Sequence, residues 1–394
     1  MGSGSYGCVF KPALTCDGGD PEGESVGGVL TKLTLRKMGE AEWFTSRILF
    51  TGIQDAKAHL DSETSGDSPE NYFIIPHKIC TPSYLEPADL ENFDRFCKYP
   101  LQGLNAEDVN TARANNKIKV VQLRDGGRTL EGLVHSDDKI LSAPFWDAMI
   151  RLLEKGVVPV NRQNVLHHDV KYNNVVYDDT ATSGGDNRTY LRLIDCDRVL
   201  RLARRDDIES MQEAYDVFRS EMQQPIAYAF LCDYALDRIN RGLPRRATSR
   251  SLYFIIERLH PAEETKAEDY VGIDDTSREL HNGTVKYTGM MTQITTILER
   301  FYDDSTHAFD WSGYAALLTA NYDVYGWLGL INYCMRHHER IFSDYSAYSF
   351  YGPALAMKEF LRHYMYDPEV LARPYNIREM IATLTQITGV PDDH

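Results

Sequence analysis

The segment HHDVKYNNVVYDD (residues 167–179) sets a His pair, an Asp, a Lys and two Asn directly before an apolar run that reads as a buried strand. A polar loop ahead of a hairpin would account for the polarity. It would not account for the order: an acid at 169, a base at 171 and an amide at 174. A catalytic loop would account for it. On this reading Asp169 orients an acceptor hydroxyl and Asn174 offers an oxygen to a metal ion.

The surrounding 394 residues leave room for one large two-part domain or two ordinary ones, with ample core. Hydrophobic residues at 43% and aromatics at 11% are the values of a globular chain, not a disordered one. A net charge of −16 argues against a general binder of nucleic acid or anionic membrane. The basic run RVLRLARRDD (198–207) is the one candidate for a local basic groove and reads more readily as a solvated helix face. Seven cysteines at 8, 16, 80, 97, 196, 232 and 334 form an odd, scattered set without a C-x-x-C pair. That pattern suits a reducing compartment and gives no zinc signature. The start, MGSGSYGCVF, lacks the basic and apolar parts of a signal peptide, and no apolar run reaches about 18 residues. The expectation is a soluble, cytoplasmic protein without a membrane partner, its oligomeric state open.

Along the chain, residues 1–125 mix short β-like runs with Gly-, Asp- and Ser-rich breaks. VLTKL (29–33) predicts a strand, and GEAEWFTSRILF (39–50) a helix with Trp43, Phe44, Arg47 and Ile48 on one face. DAKAHLDSETSGDSPEN (55–71) predicts a surface loop, and KIKVVQL (117–123) a buried strand ending at the break RDGGRTL (124–130). Helical periodicity dominates thereafter, from APFWDAMIRLLEKGV (143–157) to YDVYGWLGLINYCM (322–335), which is apolar nearly all round. NNVVYDD and YLRLIDCD (190–197) predict a hairpin.

Other motifs take their places around the opening segment. Gly2, Gly4, Gly7 and Val9 fit G-x-G-x-x-G-x-V, a turn whose glycines let backbone N–H groups approach phosphates. VLTK ends its strand on Lys32, and Glu40 or Glu42 on the next helix can pair with it. Glu40 is preferred, because Trp43 and Phe44 at i+3 and i+4 put it near the expected buried face. HHDVKYNN matches H-R-D-L-x-x-x-N at His167, Asp169 and Asn174, and LIDCD resembles the strand ending in D-F-G, with Asp195 as its carboxylate. DVYGWLG (323–329) and DPEVLARP (367–374), with Arg373, look like two later elements of the same kind. In this order the motifs resemble the protein kinase superfamily over nearly the whole chain. GSYGCVFKPAL, QQPIAYAF (223–230) and DVYGWL look more narrowly like the protein-kinase-like proteins of giant nucleocytoplasmic large DNA viruses.

The resemblance implies an α+β, bilobal protein-kinase-like fold. Residues 1–125 would form a small β-rich N-lobe with one helix, and 126–394 a mostly helical C-lobe with an insertion at about 200–320. It implies a Ser/Thr protein kinase using ATP and Mg²⁺ on a protein substrate in the host cytoplasm, with packaging in the virion as a further placement. Lys32 would hold the α/β-phosphates, Glu40 would hold Lys32, and Asn174 and Asp195 would carry Mg²⁺. Asp169 would deprotonate the acceptor and Lys171 would neutralise the γ-phosphate. There are departures. Met1 abuts the glycine turn, which implies a loose nucleotide grip; His168 stands in place of Arg, and Asp197 in place of the Gly of D-F-G. A pseudokinase scaffold and a small-molecule kinase of the aminoglycoside/choline type remain alternatives.

Overall fold

The computed structural model describes residues 2–4, 7–18, 28–59, 67–136, 142–178, 188–204, 206–218, 230–231, 233–241, 245, 248–250, 252, 284–342 and 351–390. Within them the protein is mixed α+β with small antiparallel sheets. The largest sheet has five strands: β1 (Gly2–Gly4), β2 (Gly7–Phe10), β3 (Val29–Leu35), β4 (Lys78–Cys80) and β5 (Ile118–Arg124). Their order is β1-β2-β3-β5-β4. Residues facing one another across paired strands share a face, and successive rows alternate. One row is Cys8, Leu33, Val120, Cys80, and the next is Val9, Lys32, Val121, Ile79. The first row points back into a core with Phe93, Leu101 and Val109, which the helical turns at 87–96 and the segment after them deliver. The second row carries Lys32 on the opposite face.

Two disulfides lie behind this sheet, Cys8–Cys97 and Cys16–Cys80. This corrects the reading of the cysteines as an unpaired set. Partners 89 and 64 residues apart in sequence meet only once the sheet has formed, so spacing carries no trace of them. Cys196 and Cys334 are buried and free.

Helix α1 (Arg36–Ala58) starts where β3 ends and runs past the predicted helix, taking in the first residues of the predicted 55–71 loop. Its packed face is Gly39, Glu42, Ser46, Leu49, Gly52, Ile53 and Ala56. Small residues explain the choice. A Cβ on Gly39 would lie 2.9 Å from Thr34 Cγ2, and one on Gly52 would lie 2.8 Å from Val165 Cγ2. The helix therefore approaches the sheet at Gly39, and Val165 at Gly52, more closely than bulkier residues allow. The aromatic side faces outward, with Phe44 67% exposed and Arg47 stacked over Trp43. The face predicted from Trp43, Phe44, Arg47 and Ile48 is thus not the packed one.

After the break at 124–130, helix Ala143–Arg151 continues through a π-helical stretch, Leu152–Val157, into Val158–Asn161. The predicted hairpin forms between β8 (Val175–Asp178) and β9 (Tyr190–Leu193), with β6 (Arg128–Thr129) beside β8. β7 (Val165–Leu166) pairs with β10 (Leu200–Arg201), so the segment 167–174 hangs between two small sheets. The long helix Trp311–Phe342 runs through the centre of this part. Trp327 is fully buried on it and donates Nε1–H to the Met149 carbonyl at 2.9 Å. Ile294, Ile297, Leu298 and Phe301 of helix Thr284–Phe301 pack with Leu166, Leu202, Tyr314 and Leu318. That part of the expected insertion is therefore a packed layer, whereas most of 242–283 and of QQPIAYAF lies outside the described residues. Among the described residues no helix is long and apolar enough to cross a membrane.

Candidate active site

Lys32, on the face of the sheet away from the disulfides, points at α1 and at the turn after β9. Its Nζ lies 2.9 Å from Glu42 Oε2 and 2.9 Å from Asp195 Oδ1. Glu42, not Glu40, is the helix partner. Glu42 is 3% exposed on the small-residue face and Glu40 is exposed, because the close-packing residues rather than the aromatics mark the buried side. Burial opposes the charge on Lys32, yet Asp195 and Glu42 together hold its ammonium above the ordinary lysine range. Burial also pushes the Glu42 carboxyl upward, with Lys32 opposing. For Asp195 burial works the same way, but Lys32 beside it prevails and holds the carboxyl below its usual range.

The turn that carries Asp195 is unusual. Its φ of 66° lies in the left-handed region, which few non-glycine residues adopt, and it caps the 3-10 turn Cys196–Arg198. The strand therefore does not continue, and Asp195 and Asp197 do not share a strand face. Burial and the Asp195 charge push the Asp197 carboxyl up to about 7, and its Oδ1 is buried without a hydrogen-bond partner.

The segment 167–174 forms a second cluster beside the first. Asp169 is 7% exposed. Its Oδ2 accepts from Asn174 Nδ2 at 2.6 Å and lies 2.9 Å from Lys171 Nζ, and its Oδ1 lies 3.7 Å from Arg198 Nη1. Arg198 is the member of this cluster that sequence reasoning misses. Adjacency in the chain pairs it with Asp197, and only the turn after Asp195 swings it toward Asp169. Among the described residues of the basic run, Arg201 pairs with Asp55 at 3.6 Å and Arg204 with Asp206 at 3.1 Å.

Asp323, inside the long helix, holds the segment by its backbone. It accepts from the amides of His167 at 2.7 Å and His168 at 2.9 Å. Burial outweighs these two bonds and pushes its carboxyl up to about 7. His168 takes a left-handed φ of 64° and stacks on Tyr322 with ring centroids 4.4 Å apart. Burial, then Arg198 and His167, hold its imidazole down to about 3, so it is neutral at physiological pH.

Of the predicted site residues, Lys32, Asp169, Lys171, Asn174 and Asp195 come together. Val9 faces Lys32 across β2 and β3. Gly2 and Gly4 lie in β1 and Gly7 in β2, with Gly4 opposite Gly7; the residues between them lie outside the described set. A Cβ on Gly7 would sit 2.8 Å from the Leu33 carbonyl, so this strand needs glycine to pair so tightly. Arg373 is exposed, bound to Glu369 at 3.3 Å.

The donor set suits a hard cation held jointly with phosphate. Asn174 Nδ2 is turned to Asp169, which leaves the amide oxygen on the other side, and Asp195 and Asp197 add carboxylate oxygens. Among the described residues no group of three His, Cys, Asp or Glu gathers as a metal cage. Magnesium commonly binds through one or two protein oxygens plus substrate phosphates and water, and needs no such cage. In comparisons with known proteins, no family model and no curated sequence matches this chain.

Proposed function

We propose that this chain is an ATP- and Mg²⁺-dependent protein kinase that transfers the γ-phosphoryl group to a Ser or Thr hydroxyl, on a bilobal kinase-like fold. One observation carries the reading. Residues from five separate stretches, Lys32, Glu42, Asp169 with Lys171 and Asn174, Asp195, and Asp323, meet in two adjoining charge clusters. Surface polars scattered along a chain have no reason to converge in this way.

On this reading Lys32, positioned by Glu42, exchanges Asp195 for the α/β-phosphates when nucleotide enters under Val9 and the glycine hairpin. Bound through Asn174 and Asp195, the metal ion would neutralise phosphate charge. Asp169 accepts the proton of the acceptor hydroxyl as the hydroxyl oxygen attacks the γ-phosphorus, the bond from that phosphorus to the β–γ bridging oxygen breaks and ADP leaves, and Lys171 balances charge on the transferred group. Arg198 and Asn174 hold the Asp169 carboxylate in place.

The test is incubation of the purified protein with labelled Mg²⁺-ATP and a mixture of proteins and small alcohols. Label on Ser or Thr of protein, lost in Asp169→Asn, is the expected result. Label only on small alcohols would assign the chain to small-molecule kinases. Nucleotide binding without any transfer would leave a scaffold.

A further inference from the structure

Both disulfides grip the sheet row directly behind the row that carries Lys32. Cys8, on β2, and Cys80, on the edge strand β4, lie in the row Cys8, Leu33, Val120, Cys80, on the same face but toward opposite edges of the sheet. Cys8 is bonded to Cys97, and both are fully buried. Cys80 is bonded to Cys16; Cys16 is buried and Cys80 is only partly covered.

Cys16 ends an arm that leaves β2 at Phe10 and crosses behind the sheet. Leu14 N–H donates to Thr31 Oγ1 at 3.0 Å, and Gln122 Nε2–H reaches Cys16 Sγ at 3.5 Å. The arm then pairs with the segment after β4: Asp17 N–H to the Thr81 carbonyl and Ser83 N–H to the Thr15 carbonyl, each 2.9 Å. Lys11 on the arm also pairs with Asp125, just past β5. The Cys16–Cys80 bond therefore closes a belt from the glycine hairpin, across the back of the sheet, to its far edge.

We propose that Cys16–Cys80 is a redox-cleavable strap that sets nucleotide affinity by holding the glycine hairpin against Lys32, while Cys8–Cys97 is the permanent bond. The affinity half of this rests on the proposed function. Thiol–disulfide exchange requires a thiolate to reach a sulfur, so the bond whose Cys80 end is only partly covered reacts before the one buried at both ends. A dithiol or glutathione is the reductant. One thiolate attacks a sulfur of the bond and expels the other cysteine as thiolate. A second reductant thiol then displaces the mixed disulfide. Two electrons pass to the protein, leaving two cysteine thiols and an oxidised reductant.

The test treats the full oxidised chain with dithiothreitol without denaturant, alkylates with iodoacetamide and maps the labelled cysteines. Cys16 and Cys80 should label first, with Cys8 and Cys97 still joined. Over the same step the Kd for Mg²⁺ with a non-hydrolysable ATP analogue should rise about tenfold, a change of about 1.4 kcal/mol. The variant Cys16→Ser/Cys80→Ser should bind weakly with or without reductant. Opening of Cys8–Cys97 first, or an unchanged Kd after clean reduction of Cys16–Cys80, overturns the proposal. Nucleotide binding in neither state counts against the kinase reading instead. The strap then stands or falls on labelling order together with a lowered melting temperature on reduction.

Discussion

The two charge clusters are built on different plans. The Asp169 cluster comes from a single eight-residue loop plus Arg198, and the loop's backbone is fixed from behind by Asp323. The Lys32 cluster joins a strand, a helix and a turn, with one ammonium shared between two carboxylates. A local cluster keeps its geometry as long as its loop does. An assembled one depends on how three elements pack, and it can exchange partners. On the proposed function this difference suits the roles, since acceptor alignment must be fixed while the nucleotide grip must open.

Asp169→Asn gives the largest expected effect. Turnover should fall by about 10²–10⁴-fold with Mg²⁺-ATP affinity retained, because the loss is confined to the local cluster. Comparison of kcat with nucleotide Kd decides it, and a matching loss of affinity would show that the clusters act as one. Next is the anchor. Asp323→Ala strips two buried amides of their acceptor and should lower stability by about 3 kcal/mol in urea unfolding. An unaltered midpoint would mean that the loop holds its shape without the helix.

The anchor also predicts a pH dependence. The Asp323 carboxyl is raised from 3.8 to about 7 in the fold. The native state therefore binds more protons than the unfolded chain between those limits. This contribution is complete below the unfolded value and is lost as pH rises through about 7. The stability of wild type relative to Asp323→Asn should thus decline from pH 5 to pH 8, by up to about 1.4 kcal/mol per unit. A difference that grows with pH has the wrong sign and would reverse the assignment.

Glu42→Gln sharpens the comparison on the assembled side. It should raise the KM for ATP about tenfold, as expected for loss of a charge-assisted hydrogen bond. Glu40→Gln should stay within about 0.5 kcal/mol of wild type in every assay. The smallest effect expected is none at all. Phosphatase treatment should leave activity unchanged, since His168 is neutral and stacked on Tyr322.

The same division explains which features are legible in the sequence. Strands β3 and β5, the β8–β9 hairpin and the helix from 143 follow from periodicity, and the spacing of Asp169, Lys171 and Asn174 is local enough to survive in one dimension. The choice between Glu40 and Glu42 is not. It turns on Gly39 and Gly52 fitting against Thr34 and Val165, residues of other elements that no helical wheel displays. Arg198 escapes for a related reason, because the left-handed turn at Asp195 redirects the chain beyond it. The disulfides need the sheet register, and the use of Asp323 as an anchor needs the helix axis to be placed.

The stacked His168 has a consequence for timescale. On the proposed function, a cation at that place would let the loop sense an added phosphate, as in the kinases whose motif this segment resembles, and output could change within seconds of a modifying enzyme's arrival. A neutral ring sealed against Tyr322 is deaf to that signal. On the proposed function the molecule becomes competent when it folds, without a modifying enzyme. Its output then tracks how much of it is made, how long it lasts, and the thiol balance around its strap.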